Sequence, residues 1–346
     1  MAIDNDPIFT LDILGGDDLA TDNCVLRQNK TKMICRGSRD YCHSIRDEMV
    51  VNRGYTLPPY YQDEWTYSKG NNWTPKELTN LETWFSPEYF HPETTRTDLC
   101  VQMENQSTAT NAGANGIQNT TTNMATFDTD STEHRGLTTL TFNGSSTRYL
   151  VDDLTDWNVG TDDWFCCVAV SGPTSDTDDK QTIVRKGTKW SLCADWTSGA
   201  KNLVFDWNDG TTSGSITLGG GGQTIEGSTS IYVCGRNRGY PFLNCYANSA
   251  FADEVTDTST FAGDLDASSK PKIGYNITLG TSQHFYGRLV EVIFVNDNGR
   301  TTDEAAGGFH DRVVGYLAHK YKTASLILDE THPYYTEPPR LDNIST

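Results

Sequence analysis

The chain has 346 residues and a formal net charge of −19, with 27 Lys and Arg against 46 Asp and Glu. This excess of acid disfavours nucleic acid or an anionic membrane as the main partner, because both bind clustered Lys and Arg. No apolar run approaches the roughly 18 residues of a membrane-spanning helix, so the sequence predicts no membrane span. The length fits one large β domain with appendages or two ordinary domains.

The start of the chain and its cysteines indicate where the protein is made. Residues 1–20 contain five Asp and no Lys or Arg, which does not fit a secretory signal peptide. The nine cysteines are an odd number and include the adjacent pair Cys166 and Cys167, which does not fit a regular disulfide framework. We therefore expect synthesis in the cytoplasm, with lysis as one route of release.

Residues 1–72 show little strand or helix period and end in a Pro and aromatic stretch at 57–61, which favours extended backbone. We interpret them as an N-terminal docking arm. Within this arm, residues 24–53 carry seven basic residues against three acidic ones, a net charge of +4. This asymmetry predicts docking onto an acidic protein surface, and a solvated basic face is the equally weighted alternative. The candidate docking residues are Arg27, Lys30, Lys32, Arg36, Arg39 and Arg46.

The main domain opens at residues 73–85, where apolar and polar residues begin to alternate, and residues 104–134 are polar enough to predict a long surface excursion. From there on, short β-rich runs alternate with turn residues. The predicted strands are 137–142, 164–170, 181–186, 190–196, 202–207, 213–218, 230–235, 242–247, 272–275 and 285–295. Many short strands at this spacing predict a two-sheet antiparallel jelly-roll sandwich.

The last predicted strand runs into one amphipathic helix. Thr301 and Glu304 have the spacing of a capping box, which predicts the start of the helix. Phe309, Val313, Tyr316 and Leu317 recur at i, i+4, i+7 and i+8, so we expect them on one buried stripe. Residues 323–346 contain three prolines and are interpreted as an extended C-terminal tail.

Several of these segments together resemble the laminin G-like branch of the concanavalin A-like lectin and glucanase superfamily. The resemblance covers residues 73–322, and its most specific part is the final strand with its helix, Phe285-Tyr-Gly-Arg-Leu-Val-Glu291 and Val314-Gly-Tyr-Leu-Ala-His-Lys-Tyr321. It implies a jelly roll, and this fold hosts lectins, glycosidases, adhesion modules and virion proteins alike.

The chemistry expected of a glycosidase of this fold is missing from the sequence. Retaining glycosidases need two carboxyl groups about 5 to 5.5 Å apart, which enzymes of this fold place in a Glu-x-Asp-x-x-Glu strand. Glu291 lacks such partners in its strand and is interpreted as a hydrogen-bonded structural residue. We therefore predict a non-enzyme and assign no catalytic residue.

We assign no cofactor and no metal ligand, although three acidic loops leave calcium open. These are residues 206–210, 176–179 and 152–153, whose oxygen ligands suit calcium but lack the rest of an EF-hand loop. For 206–210 a simple turn between strands is the favoured interpretation.

The combined expectation is a non-catalytic virion surface protein, either a capsid decoration (cement) protein or a fibre component of a bacteriophage. Its expected partners are major capsid or tail proteins and neighbouring copies of itself, with host surface glycans as a further ligand. The alternative is a secreted or surface lectin or adhesin whose glycan contact is the main role, and an enzyme with an unusual site ranks last.

Overall fold

A computed structural model describes residues 9–13, 24–28, 32–37, 73–78, 80–108, 112–128, 138–171, 180–195, 202–218, 229–246, 252–256, 261, 263–276, 283–296, 309–321, 327–328, 332–335 and 338–339. The chain divides into two compact units, one of residues 1–72 with 340–346 and one of Trp73–Pro339.

The first unit contains a three-stranded antiparallel sheet. Strand β1 (Phe9–Ile13) pairs with β2 (Cys24–Gln28), which pairs with β3 (Lys32–Gly37). The sequence predicts little regular structure before residue 73, and the structure differs in these three strands. Strand β1 alternates apolar Phe9, Leu11 and Ile13 with polar Thr10 and Asp12, which is the strand signal that the interpretation as an arm left out.

The second unit contains 18 strands and the only helix of eight or more residues in the described chain. The strands are β4 (Leu81–Pro92), β5 (Cys100–Asn105), β6 (Gly116–Ile117), β7 (Thr126–Asp128), β8 (Thr139–Asn143), β9 (Tyr149–Val151), β10 (Trp164–Ser171), β11 (Lys180–Lys186), β12 (Trp190–Asp195), β13 (Asn202–Asn208), β14 (Ser213–Leu218), β15 (Thr229–Asn237), β16 (Tyr240–Tyr246), β17 (Ala252–Thr256), β18 (Pro271–Ile273), β19 (Tyr275–Asn276), β20 (Gln283–His284) and β21 (Tyr286–Val295). The helix is α1 (Phe309–Lys320).

These strands form two layers. Sheet A has the order β17-β16-β15-β10-β21, and sheet B has the order β5-β6-β9-β18-β11-β12-β13-β14. Strand β4 joins the layers, because its first residues pair with β21 of sheet A and the rest pairs with β5 of sheet B. Strand β8 pairs with β21 and with β7, and β20 pairs with β19 and with β11. Every one of these pairings is antiparallel except the single-residue pairing of β20 with β11, so the structure confirms the predicted mainly β sandwich.

The core lies between the two sheets and is unusually aromatic. Trp164 and Phe294 of sheet A meet Trp190 of sheet B, with ring centroids 4.6 and 5.9 Å from the Trp190 ring. Trp157 stacks on Phe294 at 5.1 Å and lies on no strand. Each large aromatic ring buries on the order of 150–250 Å², so this cluster contributes much of the hydrophobic stabilisation.

Helix α1 covers the outer face of sheet A. The predicted stripe is confirmed in the described part of the helix, where Val313, Tyr316 and Leu317 are all buried. The side chain of Phe309, and the capping residues Thr301 and Glu304, lie outside the described residues.

The segment after the helix packs back onto it, which differs from the extended tail expected from residue 323. Ile327 and Leu328 are buried, and the His319 ring donates a hydrogen bond to the Tyr334 carbonyl at 2.7 Å. A Cβ on Gly315 would lie 2.6 Å from the Cβ of Tyr334, so only glycine lets the segment cross the helix this closely. The three prolines of this segment thus do not prevent burial of its apolar residues.

Candidate functional site

The two outer faces of the sandwich differ in how their charges are compensated. On the outer face of sheet A, the Glu291 carboxylate is fully buried and accepts hydrogen bonds from Lys320 Nζ at 2.8 Å, Tyr321 OH at 2.5 Å and Trp84 Nε1 at 2.5 Å. Lys320 also donates to Ser86 Oγ at 2.8 Å. This charge is matched by a cation and by neutral donors, and it anchors α1 to the sheet.

A second buried charge cluster lies at the end of the sandwich where β4 begins and β11 ends. Glu82 accepts a hydrogen bond from the Trp157 N–H, and Lys186 Nζ donates to the Leu154 carbonyl at 2.7 Å and to the Asp156 carbonyl. Trp157 has a φ of 60°, a left-handed conformation that costs a bulky residue energy. Its ring is held in place by stacking in the core, and its indole N–H donates to Thr83 Oγ1 at 2.9 Å.

Burial sets the ionisation of this cluster. Burial, with a smaller contribution from nearby Asp156, raises the pKa of Glu82 to about 8. Burial also lowers the pKa of Lys186 to about 8, although Glu82 and Asp156 oppose this shift. The three groups occupy the interior and bond mainly to backbone, which fits a structural role in fixing the loop around Trp157.

The acidic turn at residues 206–210 is structural, as the favoured interpretation of the sequence predicts. Asp209 Oδ1 accepts hydrogen bonds from both N–H and O–H of Thr211 and from the Thr212 N–H, and Oδ2 accepts from Thr212 Oγ1 and the Gly263 N–H. Burial raises the pKa of Asp209, but the bonds from Thr212, Thr211 and Gly263 outweigh it and hold the pKa well below its ordinary value. Both carboxylate oxygens are therefore committed to the turn.

The other two acidic loops differ in what the structure says of them. Asp153 accepts from the N–H and hydroxyl of Thr155, and Asp152 pairs with Lys270, so these carboxylates also have protein partners. Residues 176–179 lie outside the described residues. In the described part of the chain, no group of three or more His, Cys, Asp or Glu residues is arranged to hold a metal ion.

The outer face of sheet B carries the polar and charged side chains that α1 leaves uncovered. Val184 of β11 points into the core, so the next residue, Arg185, points to the opposite face. The residues that pair with Arg185 on the neighbouring strands lie beside it on that face. They form a row that crosses β9, β18, β11, β12, β13 and β14 in this spatial order and consists of Leu150, Lys272, Arg185, Ser191, Asp206 and Ser215. Most of these side chains are partly or fully exposed, and Arg185 is buried beneath its neighbours. We call this row and its neighbours the open face.

One edge of the open face carries a cluster of cations around an aromatic ring. Lys272 Nζ lies 5.1 Å from the ring centroid of Tyr275, and the Arg148 guanidinium carbon lies 5.3 Å from it. The His284 ring stacks with the same tyrosine at 6.0 Å. Burial and then Arg185 and Arg148 lower the pKa of Lys272, because the three cations are held close to one another. We call Arg148, Arg185 and Lys272 the cation cluster.

The predicted docking residues fall partly outside the described chain. Arg27 lies in β2, and Lys32 and Arg36 lie in β3, where the structure describes the strands and not their side chains. Lys30, Arg39 and Arg46 are outside the described residues, so docking through this segment stays a prediction.

Sequence reasoning did not single out the cation cluster. Arg185 and Lys272 appear in the sequence as ordinary polar positions of two predicted strands, and Arg148 precedes a strand of only three residues. The register of β9, β18 and β11 brings them together, and no local pattern encodes that register. The sequence shows only that Lys and Arg are scarce, 27 against 46 Asp and Glu. That scarcity makes a group of three on one face notable once the structure places them together.

No helix in the part of the chain that the structure describes is long and apolar enough to cross a membrane. The six described cysteines, Cys100, Cys166, Cys167, Cys193, Cys234 and Cys245, are free and buried.

No protein-family profile and no curated protein sequence matches the chain. Among solved structures, the Ruminococcus gnavus IT-sialidase CBM40 bound to α2,3 sialyllactose is similar with a TM-score of 0.31 and 12% identity, covering 40% of this chain and 77% of that one. Domains LG4-5 of the mouse laminin α1 chain give a TM-score of 0.34 and 13% identity, covering 43% and 39%. The enzymatically active domain of bacteriophage CBA120 tailspike protein 2 gives 0.37 and 12%, covering 66% and 33%. At these TM-scores the comparisons assign neither a family nor a ligand to this chain.

Proposed function

We propose that the protein is a non-catalytic display module whose open face binds glycans. The observation that carries this proposal is the asymmetry of the sandwich, in which α1 covers the outer face of sheet A while sheet B carries a row of mostly polar side chains, most of them partly or fully exposed. Such side chains offer the hydrogen bonds that sugars use, and the Tyr275 ring is buried beneath Lys272 and Arg148.

The absence of catalysis is part of the proposal and is supported by the state of the buried carboxyl groups. Glu291 is committed to Lys320, Tyr321 and Trp84, and Glu82 is committed to the Trp157 backbone. A glycosidase acid and its partner must both reach the scissile bond, which fully engaged interior carboxyl groups do not do.

The test is a glycan array probed with the full-length protein, followed by incubation with each bound glycan and measurement of reducing ends. We expect retention of a defined set of glycans without release of reducing sugar. Retention of none would contradict glycan binding, and release of reducing sugar would contradict the non-catalytic assignment.

The finer form of this proposal places the protein on a bacteriophage virion, as a capsid decoration or fibre component. It is supported by the division of the chain into two units, one of which carries the basic segment 24–53 while the other carries the open face. Capsid or tail proteins with acidic surfaces, and neighbouring copies of the chain, are the proposed partners.

Co-sedimentation with phage capsids and tails tests this placement. The comparison is between the full chain and a variant with Arg27, Lys30, Lys32, Arg36, Arg39 and Arg46 all changed to Gln. We expect stoichiometric binding of the unaltered chain that the variant loses. A protein that ignores particles but is retained on the array is a lectin or adhesin, the alternative function.

A further inference from the structure

The open face holds more positive charge at one edge than its surroundings compensate. Arg185 and Lys272 are direct register partners, and Lys272 is the partner of Leu150 on the next strand. Arg148 lies directly before β9, and its guanidinium reaches the Tyr275 ring from there. The chain has only 27 Lys and Arg in all, so two of them on one tyrosine, with Arg185 in register beside Lys272, is a specific arrangement.

No carboxylate among the described residues forms an ion pair with any member of the cation cluster. Asp206, on the same face, is bound by Lys180 Nζ at 2.5 Å, and Asp152 is bound by Lys270. Contact with the Tyr275 ring is attractive for Lys272 and for Arg148, but it does not cancel the repulsion among the three cations. A negatively charged ligand would cancel that repulsion.

Arg185 adds a buried positive charge beneath the two partly exposed cations. Its side chain is only 5% exposed, and its Nε donates to the Gly187 carbonyl at 2.8 Å. Its Nη2 donates to the same carbonyl, whereas Nη1 is buried and makes no hydrogen bond to any described residue. The carbonyl is neutral, so the charge of this guanidinium still favours an anion held above it.

Local backbone contacts preorganise the cluster. The Arg148 N–H donates to the Asn123 carbonyl at 3.0 Å, and its carbonyl accepts from Gln118 Nε2 at 2.8 Å. Gly187, which holds Arg185, has a φ of 51°, and a Cβ there would lie 2.6 Å from Ser269 Oγ. The main chain of Arg148 and the guanidinium of Arg185 are thus fixed before any ligand arrives.

We propose that the cation cluster binds an acidic sugar, with the carboxylate or sulfate of one residue held by Arg148 and Lys272 above the buried charge of Arg185. This inference rests on the proposed glycan-binding function and names its ligand class. Ser191 and Ser215, farther along the row, would then contact the neighbouring sugars through their hydroxyl groups, on either side of the Asp206–Lys180 ion pair.

Calorimetric titration of the full-length protein tests the inference. The probes are a hexamer of galacturonic acid as the carboxylate, a sulfated oligosaccharide of the same length, neutral maltohexaose, and a single-stranded DNA of matched charge. The variants are Arg148→Gln and Lys272→Gln, both partly exposed, with Arg96→Gln as the control, because Arg96 is an exposed cation paired with Asp98 away from this face.

We expect one of the acidic saccharides to bind at least tenfold more tightly than maltohexaose, because hydrogen bonds to charged groups are each worth roughly 1.5–3 kcal/mol, a factor of about 10 to 100. Arg148→Gln and Lys272→Gln should each lose about that factor, and Arg96→Gln should change affinity less than about twofold. Whether the carboxylate or the sulfate probe is preferred identifies the source of the charge.

Three outcomes overturn the inference. Equal affinity for acidic and neutral saccharides would leave glycan binding intact and refute the charge requirement. Unchanged affinity in both cluster variants would place the acidic ligand elsewhere, and DNA binding as tight as saccharide binding would show a general polyanion surface. Absence of binding to every saccharide would instead refute the proposed function itself.

Discussion

The two outer faces of the sandwich differ in whether their buried and half-buried charges have partners of opposite charge. Beneath α1, the Glu291 carboxylate accepts hydrogen bonds from one cation and two neutral donors. On the open face, Arg148, Lys272 and Arg185 stand together without a carboxylate partner among the described residues. Matched charge is what a structural anchor requires, and unmatched charge is what a binding surface retains.

This difference separates stability from function within one domain. A compensated network holds its partners in one geometry, so its loss exposes an unpaired buried charge. An uncompensated cluster costs stability in the free protein and returns it when a ligand of opposite charge binds. Removing a charge should therefore destabilise the protein beneath α1 and should leave its stability nearly unchanged on the open face.

The largest effect is expected when the anchor under α1 is broken. Glu291→Ala leaves the Lys320 ammonium buried without its carboxylate, and such changes cost on the order of 3–5 kcal/mol. Urea unfolding of the full chain, followed by tryptophan fluorescence, measures the change in the free energy of unfolding.

Glu104→Gln is the matched control, because Glu104 pairs with His91 while both side chains are about half exposed. Its expected cost is below about 1 kcal/mol. The paired variant Glu291→Gln with Lys320→Met should recover part of the lost stability, since neither group is then charged. A cost of Glu291→Ala as small as that of the control would show that α1 is held without this network.

The buried cluster at the end of the sandwich should give an intermediate, pH-dependent effect. The pKa of Glu82 is raised from its ordinary 4.5 to about 8, so the folded protein keeps a proton that the unfolded chain releases. The stabilisation is fully present below pH 4.5 and is lost as the pH rises through about 8, with a slope of at most about 1.4 kcal/mol per pH unit. The raised pKa of Asp156 acts in the same direction.

Lys186 shows the opposite dependence in a different pH window. Its pKa is lowered to about 8 from 10.5, so its neutral form is favoured by folding and its contribution rises with pH between these values. Urea unfolding at pH 5.5 and 7.5 therefore lies mostly below the Lys186 window, and comparison with Glu82→Gln separates Glu82 from the other groups that titrate in this interval. We expect wild type to lose stability across this interval and Glu82→Gln to lose clearly less; parallel losses in the two proteins would refute the assignment.

Much of the fold could be predicted from the sequence because long elements carry their own pattern. In β10, β15 and β21 apolar residues fill most positions, as expected of strands covered on both sides, and Val313, Tyr316 and Leu317 repeat with the period of a helix. The short strands β6 and β7 have two and three residues, too few to show alternation. They lie in the stretch interpreted as a surface excursion, where Met124 and Ala125 are in fact buried.

The site could be predicted much less well, because its residues are assembled by register across distant strands. Arg148 and Lys272 are separated by more than 120 positions in the sequence, and only the β9–β18 pairing makes them neighbours. Glu291 could be recognised as structural from its apolar strand, but its partners Trp84 and Lys320 come from opposite ends of the domain. Sequence patterns encode the elements, and tertiary contacts decide which polar residues meet.

The smallest effect on stability is expected from the cation cluster. The sign of the change in the free energy of unfolding distinguishes this cluster from the Glu291 network. Lys272→Gln and Arg148→Gln each remove one of three mutually repelling charges, so the free energy of unfolding should stay within about 0.5 kcal/mol of wild type or increase. Added sulfate should raise the Tm of wild type more than that of the double variant that combines Arg148→Gln with Lys272→Gln. Sulfate also stabilises proteins by exclusion from their surface, so only the difference between the two proteins reports binding at the cluster. A destabilisation as large as that of Glu291→Ala would mean that the cations are structural, and the contrast between the two faces would fail.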